Sequence, residues 1–227
     1  TKGMPDCDGI VISHYHMDHL GQLTTALPEI PLYMGELSKE VAMISAEYQD
    51  KNLYLRLLGA NTFRGGEAFT IGDIRIRPLV IDHSAADSYM FVIEAEGKRV
   101  LYTGDFRMHG LRHHVLDQLV NTYIGEVDVL ITEGTSLSRD ADKYISEAAV
   151  LDDISSYIQE GKYVFIMCSS TNIDRIMGIW QNMPTDKVLI CDAYQKRILD
   201  TVINNVYYES SLYRRHDIPL VLSKGPY

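Results

Sequence analysis

The segment Ser13-His14-Tyr15-His16-Met17-Asp18-His19 constrains this chain more than any other, because it gathers three of the eight histidines and a carboxylate within six residues. It follows the apolar run Gly9-Ile10-Val11-Ile12, which reads as a strand ending where the histidines start. In an extended segment side chains alternate, so His14, His16 and Asp18 fall on one side and His19 follows as the chain turns. A single histidine is usually a hydrogen-bonded core or surface residue. Three imidazoles and a carboxylate on one short loop are instead what a pair of divalent ions asks of a protein. Gly21 permits a tight turn, and Leu20, Leu23 and Leu27 recur at helical spacing, so the loop reads as strand, ligand turn, helix. Metal-dependent hydrolysis is the first chemistry this pattern suggests.

One loop cannot close two coordination spheres, so further ligands are expected downstream. Val80-Ile81-Asp82-His83-Ser84 follows the strand-like stretch Ile74 to Val80, and Leu101-Tyr102-Thr103-Gly104-Asp105 ends a second strand. Between them, Tyr89 to Ala95 and Arg99 to Tyr102 flank Glu96-Gly97-Lys98, a hairpin signal. His83 and Asp105 are thereby expected at neighbouring strand ends. Taken singly, each also suits a turn or cap.

These residues together resemble the metallo-β-lactamase-fold hydrolases, and within them the β-CASP branch of RNA- and DNA-processing nucleases, of the ribonuclease J and cleavage-factor type. His14-x-His16-x-Asp18-His19 is similar to the second motif of that family, His83 to the third and Asp105 to the fourth. Thr103-Gly104-Asp105-Phe106-Arg107 is the most diagnostic stretch, since many other members of the fold carry a looser Gly-Asp. Ile131-Thr132-Glu133-Gly134-Thr135 resembles the first β-CASP motif, an acidic residue ending a strand. The likeness runs over most of residues 8 to 180 and is weak beyond.

The resemblance implies that His14, His16 and His83 hold one divalent ion, that Asp18 and His19 hold another, and that Asp105 bridges the two. It implies zinc, with manganese also used in this branch; the donor set alone does not choose between them. Glu133 is expected to be a carboxylate that orients a ligand histidine. The expected reaction is hydrolysis of a phosphodiester, with Asp18 orienting or deprotonating the attacking water, so that Asp18 and Glu133 are the catalytic candidates.

The substrate candidates lie in Cys168-Ser169-Ser170-Thr171-Asn172-Ile173-Asp174-Arg175, after the strand-like Tyr163 to Met167. Ser170, Thr171 and Asn172 at a helix start offer hydroxyls, amides and free backbone N–H groups to a phosphate, with Arg175 one turn on. The stretch resembles the part of the β-CASP domain that grips the RNA backbone, although Ser-Thr-Asn is also ordinary N-cap chemistry. Arg107, His109, Arg112, His113 and His114 form a second basic cluster, read either as lining the substrate entrance or as covering a solvated helix face.

Composition bounds these readings. With 227 residues, 46% hydrophobic and 23% charged, the chain is long enough for one large domain or for one domain and part of another. The net charge of −10 argues against a broad basic surface that coats nucleic acid non-specifically, so a positive field would be local or supplied by bound dications. Cys7, Cys168 and Cys191 are odd in number and lack a C-x-x-C pair, which points to a reducing cytoplasm. Single-stranded RNA is the expected partner, a membrane is not, and a homo-oligomer stays open. The 15 tyrosines sit mostly in apolar patterns, which favours packing over base stacking.

The element rhythm is α/β. Strands are expected near 8–13, 31–34, 67–71, 74–81, 88–95, 99–103, 127–132, 163–168 and 187–191. Helices are expected near 20–27, 36–58, 111–121, 143–160, 171–181 and 193–205. The first seven strands suit the αββα sandwich of the metallo-β-lactamase fold over residues 1–144, without its N-terminal strands. From about residue 145 the alternation of helix and strand suits part of an inserted β-CASP α/β domain over 145–227. The family pattern asks for strands before the first motif and for a further ligand histidine after the insertion. Only thirteen residues precede His14, and His216 follows no small-residue strand end, so the chain reads as part of a longer protein. Two other classes remain open: a hydrolase of the same fold acting on a small ester, thioester or lactone, and an inert nucleic-acid-binding module.

Overall fold

The computed structural model describes residues 3–138 and 144–205, with the backbone of 220–222. Two sheets carry the first half. A parallel sheet runs in the order β1 (Ile10–Val11), β2 (Leu32–Gly35), β3 (Asn61–Phe63). A mixed sheet runs in the order β4 (Phe69–Ile71), β5 (Ile74–Ile81), β6 (Ser88–Ala95), β7 (Lys98–Tyr102), β8 (Val129–Ile131). Strands β5, β6 and β7 form an antiparallel meander, and β8 joins β7 in parallel. The β6–β7 turn is Glu96-Gly97, with φ of 50° and 71°, the left-handed pair a two-residue hairpin requires.

Period-two alternation sorts β5 and β6 into two cores. Ile76, Tyr89 and Phe91 point to one side and meet Val11, Tyr33 and Phe63 of the parallel sheet, giving an aromatic layer between the sheets. Leu79, Ile81, Met90 and Val92 point to the other side. There they are covered by α4 (Val115–Leu119) and the π-helical turn Val120–Ile124. The outer face of the parallel sheet is covered by α2 (Glu36–Gln49) and α3 (Lys51–Leu58). The layers are therefore helix, sheet, sheet, helix, the αββα order expected from the sequence.

Three helices follow: α5 (Glu147–Glu160), α6 (Ile173–Gln181) and α7 (Ala193–Asn204), with β9 (Leu189–Cys191) pairing in parallel with β10 (Leu220–Leu222). Helix α6 is apolar on two sides. Ile173, Ile176, Met177 and Trp180 join Ile12, Tyr15, Leu20 and α2 in one cluster, while Ile179 meets Leu151 and Ile158 of α5. Ile198, Leu199 and Val202 of α7 belong to the first of these clusters. Residues on both sides of position 145 thus share a core.

Several expected elements differ. The helix expected over 36–58 is two, because the Asp50 carboxylate accepts from the backbone N–H groups of Asn52 and Leu53 and caps a new helix. The helix expected over 20–27 is instead α1 (Met17–Leu20) followed by turns, so it starts inside the histidine motif. Strand β3 was not expected. The strand expected over 163–168 does not form among the described residues: Phe165 and Met167 are exposed and no ladder partner lies alongside, and a lone strand has no hydrogen-bond partner to hold it. His216 lies outside the described residues.

Candidate metal centre

Three chain segments deliver the site. β5 and β7 both run antiparallel to β6, so they end at the same edge of the mixed sheet. His83 lies just past the end of β5 and Asp105 just past the end of β7. The motif after β1 is brought to that edge by the 3.0 Å backbone bond from Tyr89 N–H to Ser13 O. Gly104 completes the approach. It holds φ of +55°, and a Cβ there would come within 2.8 Å of Tyr89 O and 3.1 Å of Ser13 Cβ, so only glycine lets the Asp105 turn lie against the segment that carries His14.

His16 Nδ1 lies 3.1 Å from His14 Nε2 and 3.1 Å from His83 Nε2. Imidazole nitrogens held tetrahedrally at ~2.0–2.1 Å from a zinc ion stand roughly 3.3 Å apart, so this spacing suits one ion among the three rings. A second group overlaps the first: His14, His19 and Asp105 also bring ligand atoms within 4.8 Å of one another. His19 Nε2 is 3.4 Å from Asp105 Oδ2 and 3.5 Å from Asp18 Oδ2. His14 belongs to both groups and is fully buried.

Burial, followed by the mutual repulsion of neighbouring rings, pushes His14 down to about 2. Burial, then His16 and Arg107, pushes His83 down to about 3. His16 is lowered chiefly by burial. All three rings are thus neutral at physiological pH and keep a lone pair for a cation. Ser13 Oγ, 3.1 Å from His14 Nδ1, fixes the far side of that ring.

The structure changes the expected geometry of the motif in one respect. Because α1 starts at Met17, only His14 and His16 share the extended alternation, and Asp18 rides on the helical turn with its side chain 75% exposed. Glu133 also differs from expectation. One of its oxygens accepts from the backbone N–H of Phe106 at 2.8 Å, so it holds the turn after Asp105 where a bond to a histidine was expected.

The 169–172 loop does reach the site. Ser170 and Thr171 line a cavity together with His16, and the Tyr15 hydroxyl donates to Thr171 O at 2.8 Å while accepting from Ala86 N at 2.8 Å. Asn172 precedes α6 without a capping bond, and its Oδ1 is enclosed and unbonded among the described residues. Arg175 is turned away from the cavity lining, and its Nε and Nη2 donate to Glu147 at 2.7 and 2.8 Å.

Within the basic cluster past Asp105, Arg107 and Arg112 are directed inward and follow neither expected role, whereas His113 and His114 are exposed to solvent ahead of α4. Arg107 Nε donates to Asp82 Oδ1 at 2.8 Å, and its other nitrogens lie 3.5 Å from Glu147 and 3.6 Å from Asp174. Arg112 donates through its backbone N–H to Asp82 and through Nη2 to Asp174 at 2.8 Å. Burial pushes the Glu147 carboxyl up, but the Arg175 pair and Arg107 outweigh it and hold the group below its usual range. Sequence reasoning missed Asp82, Glu147 and Asp174. The sequence signal was available only for Asp82, an acid directly before a candidate ligand.

Residues 1–155 match the family described as Beta-lactamase superfamily domain. Endoribonuclease YSH1 of Gibberella zeae is 27% identical over 230 positions, covering 92% of this chain and 26% of that protein. Ribonuclease J of Helicobacter pylori is 26% identical over 183 positions, covering 74% and 25%. Ribonuclease J of Sinorhizobium meliloti is 22% identical, covering 84% and 35%. The chain thus spans about a quarter to a third of the length of these curated relatives. In fold it is similar to a protein of unknown function from Enterococcus faecalis V583, with a TM-score of 0.74 and 20% identity over 87% of this chain and 51% of that one. The resemblance read from the motifs is borne out by these relatives. Among the described residues no helix is long and apolar enough to cross a membrane.

Proposed function

The chain belongs to the beta-lactamase superfamily, and on that premise we propose that it is a metal-dependent hydrolase of phosphodiester bonds in single-stranded RNA. The observation that carries this reading is the pair of overlapping ligand groups joined at His14, with the nitrogens of His14 and His83 each 3.1 Å from His16. The names of the relatives, endoribonuclease and ribonuclease, supply the substrate class.

In this reading His14, His16 and His83 would hold one divalent ion, Asp18 and His19 would hold a second, and Asp105 would serve both. A divalent pair, when bound, supplies a water acidic enough to ionise near neutral pH and offsets charge on the phosphodiester. Zinc is the ion we favour for a set mixing imidazoles with carboxylates, with manganese the alternative. The exposed Asp18 carboxylate orients the attacking water and takes its proton. Glu133 steadies Asp105 through the Phe106 N–H.

Ser170, Thr171 and Asn172 face the substrate. Arg175 serves them indirectly, because Glu147 holds its guanidinium and so fixes the start of α6. We divide the chain at about residue 144 into the sandwich, which carries the metal ligands, and a β-CASP-like part that carries the substrate loop. Cys7, Cys168 and Cys191 are all free, which fits a reducing cytoplasm.

The test is a metal-supplemented assay on 5′-labelled single-stranded RNA beside a panel of small esters, with the double variant His16→Ala, Asp18→Ala as control. RNA cleavage that is lost in the control, together with two equivalents of bound metal in the parent, is the expected result. Turnover of an ester without RNA cleavage overturns it.

A further inference from the structure

A cavity of about 290 Å³ opens beside His16. One wall is Tyr15, His16, Met17 and Leu20 of the motif; a second is α2 at Ala42, Ser45 and Gln49; the third is the 169–171 loop with Tyr194. Whatever occupies it lies against a candidate metal ligand.

Its lining has an uncommon composition for a phosphate site. Among the described residues that line it, none apart from His16 is a cation or an anion, although the chain carries 21 lysines and arginines and 31 acids. Phosphate recognition draws on charge-assisted donors, above all arginine and lysine, and none is present here. The hydroxyls are also largely occupied with one another. Ser45 Oγ and Tyr194 OH are 2.8 Å apart, and Ser169 Oγ and Thr171 Oγ1 are 3.0 Å apart. Among the described residues the Gln49 amide has no partner, and it offers a donor and an acceptor side by side. Met17, Leu20, Ala42 and the tyrosine rings supply apolar surface. Apolar walls with a few polar groups are the chemistry of a small neutral ligand, and the volume is at the lower end for such sites.

We propose that this cavity is a nucleoside pocket, taking the base and ribose of the nucleotide next to the scissile phosphate. The proposal rests on the nuclease reading and adds to it a division of labour: the metal centre receives the phosphate, and the Ser169–Thr171 loop contributes to holding the neutral part of the nucleotide. It also gives a physical reason for single-strand selection. A base can enter such a pocket only when unstacked and unpaired, which is costly in a duplex and cheap in a single strand.

The test is calorimetric titration of the metal-loaded chain with adenosine 5′-monophosphate, uridine 5′-monophosphate, ribose 5-phosphate and inorganic phosphate. At least one nucleoside monophosphate is expected to bind tenfold or more tighter than ribose 5-phosphate. Ser45→Phe, which fills the cavity from α2, is expected to reduce that advantage below threefold. Gln49→Phe, on the exposed last turn of α2, provides the same test where Ser45→Phe does not fold. Equal binding of nucleoside monophosphates and ribose 5-phosphate, no binding of either, or an advantage that survives the variants overturns the proposal. Failure of the nuclease reading is distinguishable, since RNA then remains uncut while the nucleoside preference persists.

Discussion

Tyr15 and Thr171 are 156 residues apart in sequence and are joined by a 2.8 Å hydrogen bond from a phenol to a backbone carbonyl. The same phenol accepts from Ala86 N, so a side chain between two candidate ligands ties the His83 loop to the substrate loop. Tyr15→Phe removes both bonds and leaves a buried N–H unsatisfied. A loss of about 1–3 kcal/mol is expected. Urea denaturation measures it, and an unchanged midpoint shows that the bridge contributes nothing.

The buried charges make a second prediction. Glu147 is 2% exposed and holds Arg175 at 2.7 Å, so truncating it takes the carboxylate from that guanidinium, while Arg107, 3.5 Å away, keeps Asp82. Glu147→Ala is expected to cost about 3–5 kcal/mol, the range for breaking a buried pair by removing one partner. The exposed pair Arg197–Glu47 serves as the control, and Glu47→Ala is expected to cost less than about 1 kcal/mol. Equal costs for the two variants would count against any special role of the network.

Asp87 makes stability depend on pH. Burial raises its carboxyl to about 6, against the bonds from Tyr89 and Ser38 that lower it; Glu36 adds to the rise and Arg112 opposes it. The folded state therefore holds the proton more tightly than the unfolded chain. The stabilisation from this group is full below about pH 4 and disappears as pH rises through about 6. Asp87→Asn, which suits the residue's φ of 60°, is expected to remove this slope and to be at least as stable as the parent at pH 7.5. Melting temperatures measured from pH 4.5 to 7.5 for both proteins check it; parallel curves reject the assignment.

Metal binding is expected to stabilise the fold, because the ligands come from three separated segments. Chelation should lower the melting temperature by several degrees, on the order expected for a few kcal/mol. In the proposed ligand set Asp105 serves both ions, so Asp105→Ala should lose both, whereas His83→Ala should lose about one. Plasma emission spectroscopy gives the count, and full occupancy in Asp105→Ala defeats the shared-ligand arrangement.

The parts of the site that follow from strand ends were legible. His83 and Asp105 converge because β5 and β7 run the same way beside β6, and the hairpin at Glu96-Gly97 announces that order in one dimension. The parts decided by tertiary partners were not. Arg107, Arg112 and Arg175 read as surface cations, yet their directions are set by Asp82, Glu147 and Asp174, which lie 25 to 62 residues away. Asp18 was read as extended because the helical turn starting at Met17 has no capping bond to mark it. The strand over 163–168 had the right composition, but a strand exists only where a neighbour pairs with it.

The apolar cluster that joins Ile12 and Tyr15 to Ile173, Trp180 and Val202 has a consequence for how the chain comes apart. Two regions that bury the same side chains cannot melt independently. Heating should yield one cooperative transition, and a protease that cuts near residue 144 should leave two pieces held together until the whole core opens.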